Sequence, residues 1–268
     1  MRTLRTIALL GVTAAAAAPL AAQQPTTEQL LERCQRGQGR QSSVRHCEVA
    51  EHRLPAGSLR LEASNGAVTV VPWDGREVLV RSIVEGRAAS AGRARELVQG
   101  VRIRTDGTVR ATGRNAPHGE NWSVSYHVLV PAHTDLDLRT SNGPMSVARV
   151  SGTHRLRTEN GPLVLDRLAG DVQANAQNGP ITVTLEGARW SGAGLAVETV
   201  NGPVTVRMPR DYAARVEGGT TNGPIRTDLP VTTSGRGWGR RTIEAEIGGG
   251  GPTLRFTTVN GPLTISRS

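Results

Sequence analysis

Asp166, Asp171 and Glu186 are the carboxylates most worth testing for chemistry, because they fall near one class of predicted corner and could flank a polysaccharide chain. An acid pair of that kind is what glycoside hydrolysis needs. Nothing in their spacing forces them together, and the outward positions of the neighbouring strands alternate in charge without concentrating acid. The six histidines, His46, His52, His118, His127, His133 and His154, show no metal-ligand spacing. Cys34 and Cys47 are the two cysteines. With His46 and His52 nearby they invite a metal reading, but the spacing matches no standard zinc pattern. A disulfide closing that loop is the simplest expectation outside the cytoplasm, contributing about 3 kcal/mol in the chain-entropy model. There is no Gly-x-Ser-x-Gly, HExxH or phosphate loop. The glycines at 248–251 follow a strand-like run but lack the lysine and the helix of a phosphate cradle. The expectation is therefore a protein without catalytic residues, cofactor or metal.

Binding is the remaining chemistry. Just before the predicted corners, Arg139, Arg157, Asn175, Glu198 and Thr257 occupy outward positions, and Arg139 and Arg157 are the candidate binding residues for an anionic partner. The chain carries a formal charge of +9, or +7 without Arg2 and Arg5, and all its basic residues are arginine. These arginines are scattered among Asp and Glu, and aromatics make up 3% of the residues. A nucleic-acid surface would cluster its basic groups and interleave aromatics, so nucleic acid is not an expected partner. An envelope protein or an anionic glycan is.

The elements that must position these residues are written in a repeat. Asn-Gly occurs at Asn65, Asn142, Asn160, Asn178, Asn201, Asn222 and Asn260, and in all but the first Pro follows. Asn-Gly between apolar runs normally predicts a hairpin. Here Pro stands where the closing N–H would be needed, and Pro has none. A corner between successive strands suits all three residues better. Repetition near 20 residues predicts stacked units. The expected fold is all-β: a parallel β-solenoid of about seven coils with Asn-Gly-Pro corners and one short helical insertion, the last read from the Ala, Arg, Glu and Leu run at 88–99. Counting by twos from Leu138 and Leu156, the alternation turns Thr140, Thr158, Thr199, Thr220 and Thr258 inward as a stack. The same count turns the seven Asn residues inward as a ladder of amides. Thr on the inside also argues against a flat, ice-binding Thr face.

Residues 1–22 read as a secretory signal peptide, with a basic start, an apolar stretch and small residues before Gln23. The chain is then expected to be exported, periplasmic or secreted, with no transmembrane segment after cleavage. Residues 23–52 form a Cys-bearing preamble in which Thr26 and Gln29 have capping-box spacing. Residues 53–268 form the repeat domain, with the glycine-rich stretch 228–252 as a lapsed or replaced coil.

Within 53–268 the LRLEASNGAVTV opening, the WDG turn, GRARELVQ, YHVLVP and the T-x-N-G-P repeats resemble the bacterial putative-adhesin family of exported β-strand-repeat proteins. The resemblance implies a β-helix-like fold and carries no catalytic residues over. The expected function is that of a non-catalytic extracytoplasmic adhesin or scaffold. A polysaccharide-active β-helix enzyme, or an envelope-stress sensing partner of a membrane regulator, is the alternative.

Overall fold

In the computed structural model, residues 24–36, 43–234 and 241–268 are described. The predicted signal peptide lies outside them, as does the 235–239 glycine tract. Helix α1 (Thr27–Arg36) opens on the capping box: Gln29 N–H donates to Thr26 Oγ1 at 3.2 Å, and Thr26 N–H donates to Gln29 Oε1 at 3.0 Å. The long strand β1 (Val44–Leu54) follows, then β2 (Ser58–Asn65), β3 (Val68–Pro72) and β4 (Val78–Ala88). Helix α2 (Ala91–Gln99) is capped by the Ser90 hydroxyl and buries Ala94, Leu97 and Val98. After it come β5 (Arg102–Arg104), β6 (Val109–Thr112) and β7 (Asn121–Val130).

The regular part alternates long and short strands: β8 (Asp135–Asn142) and β9 (Met145–Ala148), β10 (Ser151–Asn160) and β11 (Leu163–Asp166), β12 (Ala169–Asn178) and β13 (Ile181–Thr184). It continues with β14 (Gly194–Asn201), β15 (Val204–Met208), β16 (Ala214–Asn222) and β17 (Ile225–Thr227). The chain closes with β18 (Thr232–Ser234), β19 (Arg241–Ile247), β20 (Thr253–Asn260) and β21 (Leu263–Arg267).

Each Asn-Gly corner carries the chain from one sheet to the other. The 10-stranded sheet runs β1-β4-β7-β3-β9-β11-β13-β15-β21-β17, and the 11-stranded sheet runs β18-β19-β16-β20-β14-β12-β10-β8-β2-β6-β5. One core lies between them, built from Val, Leu, Ile and Ala of both sheets. Alternation produces it directly, since strands such as β12 bury every second residue.

The expectation of a parallel β-solenoid of about seven coils is corrected by this topology. The fold is mostly β, in two mixed sheets of sandwich type. β4 pairs antiparallel with both β1 and β7, and β19 pairs antiparallel with β16 and β18. Strand order also departs from chain order, because β20 lies between β14 and β16, and β21 between β15 and β17. Packing gives a reason. Gly218 of β16 stands opposite Phe256 of β20, and a Cβ on Gly218 would come within 2.8 Å of Ile243 and Leu263. The missing side chain leaves room for the single, fully buried phenylalanine and for the antiparallel β19. The described residues of the 228–252 stretch thus supply two antiparallel edge strands, β18 and β19, in place of a coil.

The corners explain the repeat. A Cβ on Gly161 would sit 2.3 Å from Gly143 O, and Gly161 itself has φ +151°. Gly143 N–H donates to Asn160 O, and Met145 N–H donates to Pro162 O, so the ladder passes over Pro without asking it for a donor.

Candidate functional site

The five Thr residues of the predicted stack are buried, each 4% exposed or less. Hydroxyls of Thr199, Thr220 and Thr258 donate to Gly179 O, Gly261 O and Gly202 O of the adjoining corners. The seven Asn residues, expected inside, are exposed instead. Pairing passes from Thr158–Ala176 directly to Asn160–Asn178, so the alternation ends one residue before Asn and the amide swings out to the rim. There the side chains bond in one direction. Asn142 donates to Asn65, Asn160 to Asn142, Asn178 to Asn160, Asn201 to Asn178, Asn260 to Asn201 and Asn222 to Asn260, at 2.8–3.1 Å.

Beside this rim, on the outer face of the 11-stranded sheet, lies a groove of about 690 Å³. It crosses β2, β8, β10, β12 and β14, and its central row is Glu62, Arg139, Arg157, Asn175 and Glu198, all in parallel register. Five strands at the usual spacing make it about 19 Å long. Parallel pairing therefore brings the two sequence-predicted arginines side by side. Like charges directly opposite one another are unfavourable. Arg139 faces Glu62 across the β2–β8 pair and approaches Asp137 to 4.0 Å, whereas among the described residues no ion pair engages Arg157. The residue just before Asn in each repeat adds Ser64, Ser141, Glu159, Gln177 and Val200 to the lining. Glu62 and this second row were missed from sequence; the column immediately preceding each Asn carried the signal.

Toward the other ends of β2, β8 and β10 the polar surface continues through Arg60, Asp137 and Arg155. Arg60 pairs with Asp137 at 3.3 Å, and Asp135 Oδ1 accepts from Thr153 N–H at 2.7 Å. Arg60 and Asp137 are engaged with one another, whereas Arg155, like Arg157, takes part in no ion pair among the described residues.

The three carboxylates considered for catalysis do not converge. Arg167 bonds Asp166 at 2.8 Å and approaches Glu186 to 3.6 Å, so it stands between them. Asp171 is on β12, in the opposite sheet from Asp166. Cys34 and Cys47 form a disulfide with Cα atoms 6.3 Å apart. They are also the sulfurs of the one Cys/His/Asp/Glu cluster close enough to share an ion among the described residues, together with Glu85. Both sulfurs are committed to the disulfide. Arg45, which donates to Cys34 O at 2.7 Å and pairs with Glu85 at 3.1 Å, helps hold α1 to β1.

Two histidines are buried away from the groove. His154 is fully buried, with Nε2 3.2 Å from Val150 O, and burial pushes its pKa down. Burial also lowers that of His127, and the charges of Arg81 and Arg33 add to the effect. The glycines at 248–251 make the turn from β19 to β20, with Gly248, Gly249 and Gly250 at φ +58°, +83° and +81°.

No family model matches the chain, and no curated protein matches it in sequence. Among solved structures, a protein described as a putative cell adhesion protein from Clostridium sporogenes aligns over 84% of this chain and 100% of its own. The identity is 10% and the TM-score 0.44. One described as a putative adhesin from Bacteroides fragilis covers 83% of this chain and 97% of its own, at 7% identity and a TM-score of 0.33. One described as a putative lipid-binding protein from Parabacteroides distasonis covers 82% and 96%, at 7% identity and a TM-score of 0.26. At TM-scores below 0.5 the function has to be argued from the groove itself. A structural disulfide belongs to an oxidising, extracytoplasmic setting. Among the described residues no helix is long and apolar enough to cross a membrane.

Proposed function

We propose that this protein is a non-catalytic binding protein of the bacterial envelope, periplasmic or secreted, and that its adhesin- or scaffold-type role is exercised through the groove on the 11-stranded sheet. The partner is an envelope glycan that places an anionic group on Arg139 and Arg157. The carrying observation is that parallel register sets these two arginines directly opposite one another on the same face, with no acid engaging Arg157 among the described residues. Such an arrangement costs electrostatic energy in the free protein and is relieved by a bound carboxylate or phosphate, which arginine can hold with two parallel hydrogen bonds. The carboxylate set that would favour a hydrolase is missing its free pair, since Arg167 occupies the space between Asp166 and Glu186.

The test is retention of the purified protein on washed envelope polysaccharide. Arg139→Ala/Arg157→Ala should abolish retention without lowering the urea midpoint, because both side chains are exposed and their removal relieves like-charge repulsion. Equal retention of the double variant and the wild type would refute the assignment. Retention on protease-sensitive envelope material only would move the partner from glycan to protein.

A further inference from the structure

The charges around the groove are not those of a receptor for a polyanion. Its lining carries Arg139 and Arg157 against Glu62, Glu159 and Glu198, one negative charge in excess. A chain dense in sulfate or phosphate would gain at the arginines and lose at the three carboxylates. The order of groups across the strands is also directional. β8 and β10 present Arg139 and Arg157, β12 presents Asn175, and β14 presents Glu198, all in one row. At about 4.8 Å per strand, Glu198 lies about 10 Å from Arg157, with a neutral amide between them. Next to Glu198, Val200 is one of the two large apolar side chains among the described residues that stand well out into solvent, at 39% exposure. A cationic pair, an amide, then a carboxylate beside an apolar contact make the complement of a ligand that carries both signs of charge.

Resting on the reading above that this groove is the binding face, we infer that its ligand is a linear zwitterionic glycan. Its carboxylate sits on Arg139 and Arg157, and its free amino group, one or two sugar units further on, is held by Glu198. Charge-assisted hydrogen bonds of both kinds are the strong ones, and each needs the correct sign at its own position. Asn175 and Gln177 supply amide donors and acceptors to the hydroxyl and N-acyl groups between. The groove runs across the strands, so it presents one set of polar groups per strand. A pyranose ring spans roughly one such interval of about 4.8 Å, whereas an extended peptide advances about 3.3 Å per residue and falls out of step. The described lining contains no aromatic side chain, so discrimination rests on charge and hydrogen bonding and not on ring stacking.

Isothermal titration with three oligosaccharides of equal length tests this: a hyaluronan octasaccharide, which is polyanionic; its N-deacetylated form, which is zwitterionic; and a chitosan octasaccharide, which is polycationic. The zwitterion should bind about tenfold tighter than either of the others. Glu198→Gln should erase its advantage over the N-acetylated parent, and Arg157→Ala should weaken both. Thermal melts of each variant confirm that it is folded. If the parent polyanion binds as tightly as the zwitterion, the charge pattern is wrong while the groove assignment stands. If none of the three binds, yet envelope polysaccharide still retains wild type and not the double arginine variant, the ligand class is overturned. Failure of that retention as well would overturn the proposed function itself.

Discussion

Replacing Asn160 by alanine tests whether the column of amides is a connected structure or a set of separate surface residues. Asn160 donates to Asn142 Oδ1 at 3.1 Å and accepts from Asn178 Nδ2 at 2.9 Å, so the substitution removes two hydrogen bonds. A net hydrogen bond contributes about 0.5–1.5 kcal/mol, and at an exposed rim water re-pairs the orphaned groups, so the lower half of that range applies. Asn160→Ala should then cost about 1–2 kcal/mol. Asn222 stands at the end of the column with a single amide contact, to Asn260, and Asn222→Ala should cost about half as much. The sharper test is the double variant. Asn160 and Asn178 share one of their bonds, so together they lose the links 142–160, 160–178 and 178–201, one fewer than the singles suggest. The double should therefore be more stable than additivity predicts by about one exposed hydrogen bond, 0.5–1 kcal/mol. Urea unfolding with an unchanged m-value gives all four stabilities. Strict additivity, or a cost at Asn222 equal to that at Asn160, would refute the connected ladder.

Three further outcomes follow from the packing. Gly161→Ala forces a Cβ to within 2.3 Å of the Gly143 carbonyl at φ +151° and should cost more than the about 1–3 kcal/mol of the backbone conformation alone, read as a loss of soluble yield or a large drop in urea midpoint. Burial lowers the pKa of His127 and His154 below the ordinary histidine value of about 6.5, so the stability each contributes is complete above that pH and is lost as pH falls below it. The urea midpoint should fall from pH 7.5 to pH 5, and a His154→Leu variant should show a shallower fall; identical slopes would reject the role of His154. Reducing the Cys34–Cys47 bond should raise hydrogen exchange in α1 with little change in β8 to β15, because α1 packs chiefly on β1 and β4; uniform loss of protection would contradict this.

The middle of the fold was legible because it is written in repeats. Asn142, Asn160 and Asn178 recur at equal spacing, and their strands pair residue for residue in that register. What the repeat could not convey was order. Nothing local to Leu254–Asn260 distinguishes a strand that follows β16 from one that lies between β14 and β16. Gly218 and Phe256 decide it through a contact made only when the chain is folded. The antiparallel ends were equally hidden, since long apolar alternation such as that of β4 suits either direction of pairing. The outward turn of Asn came from a one-residue break in alternation at Ser141, Glu159 and Gln177. Counting by twos passes over such a break, although the polar column just before each Asn marks it. Arg139 and Arg157 were found because they precede that break; Glu62 and Glu198 needed the register to acquire meaning as neighbours.

The rim and the groove are therefore linked through register. A slip of one residue exchanges the faces of a strand and would carry Arg139 or Arg157 into the core. Every amide contact along the rim opposes such a slip, because each Asn meets its partner in a single register. The backbone bonds on either side of the corner, such as Gly143 N–H to Asn160 O and Leu163 N–H to Pro180 O, oppose it as well. Breaking one amide link should consequently lower stability while leaving the spacing of the two arginines intact, so Asn160→Ala should melt earlier and still bind. A variant that kept its stability and lost its ligand would place the Asn amide in the binding contact and would turn the rim from a register device into part of the site.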